Sequence, residues 1–66
     1  MMKDLKELYL DVFEDDLTTV KLCGRDACKK LIRAMSASYP GVNFGSSDGG
    51  WMEINNVREY GQKLFE

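Results

Sequence analysis

The stretch Ala27–Tyr39, ACKKLIRAMSASY, decides the fold of this chain because its apolar residues repeat with the period of an α-helix. The apolar residues share one broad face, and basic residues with a serine occupy the opposite face. This pattern predicts an amphipathic helix over residues 26–38 with its apolar face against a core. Gly24 interrupts the pattern, Asp26 is placed to accept hydrogen bonds from the first N–H groups, and Pro40 ends the helix by excluding its neighbour from helical backbone.

A second helix is predicted at the C-terminal end of the chain. Four residues carry the helical spacing: Val57, Tyr60, Gly61 and Leu64. Asn56 is the predicted N-cap, with Glu59 three residues later in the reciprocal capping position. A glycine in a helix costs roughly 1 kcal/mol relative to alanine. Gly61 on the apolar face therefore predicts a close approach of another element.

Between the two predicted helices, VNFGSSDGGWMEI (residues 42–54) has the pattern of a β-hairpin. Val42 and Phe44 point to one side of the first strand, and Met52 and Ile54 point to one side of the second. The connection 46–50 has the residues of a turn. The glycine spacing resembles that of a phosphate-binding loop. However, Trp51 and Met52 stand where such a loop needs Lys and Ser or Thr, so we interpret the stretch as a turn alone.

The N-terminal third contains one clear and one ambiguous segment. Leu17–Cys23 is rich in β-branched residues and is predicted to be a strand. Residues 3–14 match a helical template, but Leu8, Leu10 and Val12 also alternate as in a strand; we favour the helix and leave the strand open. The predicted fold is α+β, a small two-layer domain with a short, mostly antiparallel sheet packed against two or three helices. Residues 1–66 form a single domain.

Several classes of chemistry are excluded by the composition. The chain has no histidine, which removes histidine-based catalysis and metal ligation. Cys23 and Cys28 have the spacing C-x4-C, with no second pair to complete a zinc site; we expect Cys28 in the core, Cys23 at the surface, and both as free thiols. We therefore expect no enzymatic activity, no catalytic residues, no metal and no cofactor. The sequence shows neither a signal peptide nor a membrane span, which predicts a cytoplasmic protein.

Charge is distributed unevenly along the chain. Residues 1–16 carry two lysines against six acidic residues, a net charge of −4, whereas residues 17–66 carry seven basic against five acidic residues, a net charge of +2. The acidic candidates for partner binding are Asp11, Glu14, Asp15 and Asp16. The basic candidates, on the outer face of helix 26–38 and just before it, are Arg25, Lys29, Lys30 and Arg33.

Three interpretations of this asymmetry remain open. The acidic segment and the basic helix face form weak ion pairs within the molecule, the basic face binds nucleic acid, or the acidic segment docks on a basic protein surface. We favour the third interpretation: a small regulator or inhibitor of a protein partner, acting by acidic mimicry of nucleic acid. Free-standing domains of this size are common products of mobile elements, an origin compatible with this sequence.

The hairpin offers a second predicted contact with a partner. If Met52 and Ile54 face the core, Trp51 and Glu53 lie on the other face of the strand. An exposed tryptophan is a typical interface anchor. The alternative, which we favour slightly, is that Trp51 covers part of the sheet as core material.

Overall fold

The computed structural model describes residues 3–46 and 51–66, and the α+β prediction is confirmed. Three helices and a two-stranded antiparallel sheet form a small compact domain in this part of the chain. Their bounds are α1 Leu5–Val12, α2 Arg25–Ser38, β1 Gly45–Ser46, β2 Trp51–Met52 and α3 Ile54–Lys63. Most of the predicted hairpin connection, residues 47–50, lies outside the described residues.

The ambiguous N-terminal segment is a helix, as favoured from the sequence. The Asp4 carboxylate accepts a hydrogen bond from the Glu7 amide at 2.8 Å, which caps the first turn of α1. At the other end, the Lys21 ammonium donates to the Leu10 carbonyl at 2.7 Å. A cation at this end of a helix is favourable because the last carbonyls are otherwise unpaired.

Helix α2 begins at Arg25, one residue before its predicted start. Its N-cap is Gly24, and no side chain caps the first turn. The prediction that Asp26 caps this helix is therefore wrong, because Asp26 already lies inside the first turn. The apolar face is confirmed: Leu31, Ile32 and Met35 are buried.

The core lies where α1, α2 and the N-terminal part of α3 meet the segment that leads into β1. Its fully buried residues are Tyr9, Val12, Phe13, Leu31, Ile32, Met35, Phe44 and Val57. The Tyr9 and Phe13 rings stack at 4.3 Å between centroids, and Phe44 contacts the Tyr60 ring edge-on at 5.6 Å. The aromatic rings supply much of the buried area that so short a chain can assemble.

The predicted strand Leu17–Cys23 is wrong. Only one isolated antiparallel bridge, between Phe13 and Val20, forms there. The Asp16 carboxylate accepts hydrogen bonds from the amides of Thr18 and Thr19 at 2.9 Å each. Side-chain acceptors of this kind compete with a β-ladder for the backbone donors. Leu17 adds to the break because its φ of +65° lies in the left-handed region.

Helix α3 is present, but its predicted N-terminus is wrong. The helix starts at Ile54 with Glu53 at the N-cap position, and no side chain caps it. Asn56, the predicted cap, lies within the helix and donates its side-chain amide to the Asn43 carbonyl at 2.8 Å. Because the Asn56 side chain makes this tertiary hydrogen bond, it does not cap the helix. Ile54, predicted to end a strand, is the first residue of the helix instead.

The antiparallel pairing of the hairpin is confirmed, but the predicted first strand is misplaced: β1 begins at Gly45, after Val42 and Phe44, and includes Ser46, which was predicted in the connection. Gly45 pairs with Met52, and Ser46 pairs with Trp51. The Glu53 amide donates to the Phe44 carbonyl at 3.1 Å beyond the ladder. Gly45 has a φ of +109°, and a Cβ at this position would collide with the backbone of the opposite strand. A glycine is therefore required where the first strand begins.

The predicted close approach at Gly61 is confirmed. This residue is buried in α3, and a Cβ added to it would overlap the ring of Tyr9 in α1. The absent side chain lets the two helices pack around the tyrosine. Within the described residues, no helix has the length and apolar character needed to cross a bilayer.

Candidate partner-binding surface

A hydrogen-bonded turn follows α1 and carries most of the acidic candidates. The Glu14 amide donates to the Thr19 carbonyl at 2.8 Å, and the Leu17 amide donates to the Glu14 carbonyl at 2.8 Å. The buried Tyr9 hydroxyl donates to the Leu17 carbonyl at 2.6 Å, which ties the turn to the core. Glu14, Asp15 and Asp16 are all exposed on this turn. The turn therefore presents three carboxylates from a fixed backbone.

Asp16 has a structural role as well as a charge. Its carboxylate accepts three hydrogen bonds, from the Thr19 hydroxyl at 2.6 Å and from the amides of Thr18 and Thr19. The hydroxyl and then the amides lower the pKa of Asp16 from its ordinary 3.8 to about 2. Hydrogen bonds to a carboxylate favour its charged form. Asp16 thus holds the turn that carries Glu14 and Asp15.

This pKa predicts how acid affects the fold. Because the folded pKa of Asp16 lies below the unfolded one, the ionised carboxylate favours the folded state above about pH 4, and this contribution is lost as the pH falls toward about 2. The melting temperature of the wild type should therefore fall more steeply between about pH 5 and about pH 2 than that of Asp16→Ala. Thermal melts followed by circular dichroism measure this.

Asp15→Ala is the matched control because Asp15 is an exposed neighbour on the same turn. Its melting temperature should follow the wild-type slope with pH. Parallel slopes for the wild type and Asp16→Ala would show that the Asp16 hydrogen bonds do not hold the turn.

Asp11, the fourth acidic candidate, is engaged in the described structure. Its Oδ2 atom lies 2.7 Å from the Lys3 ammonium, and both groups are partly accessible. The hydrogen bond from the lysine to this carboxylate raises the pKa of Lys3. The pair joins the segment before α1 to the last turn of the same helix. Asp11 is therefore less available to a partner than Glu14 and Asp15.

Two exposed apolar side chains follow the acidic turn. Val20 is 43% exposed and Leu22 is fully exposed. Lys21, between them, extends back to the α1 carbonyl and lines a shallow depression together with the three carboxylates. We call residues 14–22 the acidic–apolar loop. Sequence reasoning missed its apolar part, because the predicted strand would have buried one face of it.

The basic candidates lie on the outer face of α2 or at its start. Arg25, Lys30 and Arg33 are exposed and Lys29 is half-buried. In the described part of the chain the one ion pair joins Lys3 to Asp11, so none of these four cations pairs with a carboxylate there. The intramolecular interpretation of the charge asymmetry is therefore wrong for residues 3–46 and 51–66. The acidic and basic groups remain separate.

The hairpin candidates are both accessible. Trp51 is 50% exposed and does not belong to the buried core, contrary to the interpretation of it as core material, and Glu53 is exposed at the N-cap position of α3. Met52 and Ile54 are half-buried against the core, as predicted, although Ile54 belongs to α3 and not to the strand. Trp51 thus has the accessibility of a contact residue.

The two cysteines are neighbours in space. Their Sγ atoms lie 3.9 Å apart, both residues are half-buried, and both pack against the core. The predicted surface position of Cys23 is wrong, because this residue turns back toward the first turn of α2. Burial, followed by the adjacent Cys23 thiol, raises the pKa of Cys28. Among the described residues no cluster of three or more His, Cys, Asp or Glu could hold a metal ion.

The chain shows no significant similarity to any protein-family model, curated protein or solved structure.

Proposed function

We propose that this protein is a small, non-enzymatic, cytoplasmic binding protein that regulates or inhibits a protein partner through the acidic–apolar loop. The observation that carries this proposal is the full exposure of Leu22, close to Val20 and to a turn of three carboxylates. Exposed apolar residues supply contact area, and charges around them steer the partner and set its orientation. The partner that fits is a protein with an apolar pocket and a basic rim.

The fixed geometry of the loop supports this role. Tyr9, Asp16 and Lys21 hold the loop by hydrogen bonds to its backbone or to α1. A preformed loop loses less conformational entropy on binding than a flexible one. Basic rims with apolar pockets also occur where proteins bind nucleic acids. A carboxylate turn on such a surface would compete with phosphate groups, which is how the domain would inhibit its partner.

Capture of a partner protein from a lysate of the source cell tests the proposal. The wild-type protein and matched variants are each immobilised and compared. Glu14→Lys/Asp15→Lys should lower capture of the partner at least about tenfold, mainly by slowing association. Leu22→Ser should lower it through faster dissociation. Glu59→Lys/Glu66→Lys changes the net charge equally at exposed positions elsewhere and should leave capture unchanged.

Further experiments distinguish specific binding of a partner from nonspecific electrostatic binding. Duplex DNA should displace the captured protein if the loop mimics nucleic acid. Capture that is equal for wild type and all variants would contradict the proposal. Loss of capture with Trp51→Ala alone would move the contact to the hairpin pair, Trp51 and Glu53.

Nucleic-acid binding through α2 is the second candidate function. It is favoured by the four cations of α2 that have no carboxylate partner in the described residues. If all four contact phosphates, affinity for a labelled duplex should fall roughly a hundredfold between about 50 and 200 mM salt. Fluorescence anisotropy measures this, and Arg25→Glu/Lys30→Glu should abolish binding. We expect no such binding; tight, salt-sensitive binding by the wild type would favour this candidate over the first.

A further inference from the structure

The start of α2 combines a missing cap with two adjacent thiols. With Gly24 at the N-cap, Cys23 is the residue before the cap and Cys28 is the fourth residue of the helix. In many helices, apolar residues at these two positions contact each other and fix the direction in which the chain enters the helix. Here a pair of thiols occupies them, at 3.9 Å between Sγ atoms. No side chain caps the helix at this point.

We propose that Cys23 and Cys28 form a site of reversible disulfide formation that fastens the acidic–apolar loop to the first turn of α2. A disulfide requires about 2.05 Å between the sulfur atoms. The existing contact needs a closure of slightly less than 2 Å, which side-chain rotation and a small shift of the segment before Gly24 can supply. Lys21 and Leu22, which precede Cys23 in that segment, are exposed and hold no regular secondary structure.

The oxidant in this proposal is a low-molecular-weight disulfide such as oxidised glutathione. One cysteine thiolate attacks a sulfur of the oxidant, forms a mixed disulfide and expels one small thiolate. The second cysteine thiolate then attacks the protein sulfur of the mixed disulfide and releases the second small thiolate. The two protons lost by the cysteines end on the two released thiols, so the protein is oxidised by two electrons and the oxidant is reduced by two.

The two cysteines differ in their expected order of attack. Burial and the neighbouring thiol disfavour the thiolate of Cys28 and raise its pKa. Since the thiolate is the attacking species, Cys23 should react first with the oxidant. Cys28 then completes the bond, because the contact holds it next to the reacting sulfur.

Redox titration of the whole chain against reduced and oxidised glutathione tests the proposal. The product should be a monomer lighter than the reduced protein by the mass of two hydrogens. The equilibrium constant for forming the Cys23–Cys28 disulfide should be larger by about tenfold or more in native buffer than in concentrated urea, because the fold holds the thiols together. By linkage, the oxidised protein should then be stabilised by the same factor, raising its melting temperature by roughly 5 °C or more.

Two variants and two outcomes complete the test. Cys23→Ser should abolish most of the early mixed disulfide seen by mass spectrometry, whereas Cys28→Ser should trap it on Cys23. A native formation constant no larger than that in urea would overturn the proposal. Mixed disulfides or covalent dimers as the main wild-type products would overturn it as well.

Discussion

Replacing Phe44 by alanine is expected to destabilise the fold by about 3–5 kcal/mol. Phe44 is 1% exposed, and its ring packs against two tyrosine rings. The distances between ring centroids are 6.2 Å to Tyr39 and 5.6 Å to Tyr60. Truncation leaves a cavity at the junction of the hairpin with α2 and α3. A domain of this size has a net stability of no more than roughly 3–5 kcal/mol. The variant should therefore be largely unfolded at room temperature, as measured by circular dichroism and urea titration.

Trp51→Ala is the matched control, because it removes a larger aromatic side chain from the same hairpin. Half of Trp51 is already in solvent. Its removal should cost no more than about 1 kcal/mol, which leaves the variant folded and suitable for binding experiments. A stable Phe44→Ala variant, or equal destabilisation by the two changes, would show that the core is misassigned.

Replacing Gly61 by alanine is expected to lower the free energy of unfolding by about 2 kcal/mol or more, although the same change usually stabilises a helix. Alanine normally gains roughly 1 kcal/mol over glycine in a helix interior. Here the added Cβ overlaps the ring of Tyr9. That ring is fully buried, stacks on Phe13 at 4.3 Å and donates its hydroxyl to Leu17 at 2.6 Å. It has little freedom to move, so α3 must shift away from α1.

Gly24→Ala adds the same methyl group at a position with no atom within 4 Å of the new Cβ. Its effect should stay below about 1 kcal/mol in denaturant titrations, as expected for replacing an N-cap glycine. A second test uses Tyr9→Leu as background, where a smaller side chain should reduce the cost of Gly61→Ala. If Gly61→Ala is as stable as the wild type, α1 and α3 do not pack as described.

The function proposed here depends on features that the sequence indicated only in part. The acidic residues and the basic helix face were visible as a pattern of charge. The separation of these two groups in space was not visible in the sequence, because ion pairs between them depend on how α1 and α2 are oriented. The single ion pair within the described residues, Lys3 with Asp11, joins two residues of the N-terminal segment instead.

By itself the sequence determined the α+β class, α2, α3 and the hairpin, and it favoured a helix at α1 without excluding a strand. Each of these follows from a local cause: helical spacing of apolar residues in α1, α2 and α3, and turn residues between two short apolar runs in the hairpin. The close approach at Gly61 was also predictable, because a glycine on the apolar face of a helix needs a neighbour to explain it. Local patterns of this kind reflect burial, and burial is the main force that forms the core.

Only the tertiary structure decided how the polar side chains are used. Hydrogen bonds of the Asp16 carboxylate and of the buried Tyr9 hydroxyl hold residues 17–23 in a loop, in which Leu22 is exposed. Asn56 bonds to Asn43 rather than capping α3, and the helix begins at Ile54, three residues before the predicted first helical residue. Each of these hydrogen bonds joins groups whose partners depend on the folded path of the chain. Sequence spacing predicts which side chains are buried, but a hydrogen bond needs donor and acceptor within about 3 Å, a distance set by the tertiary fold.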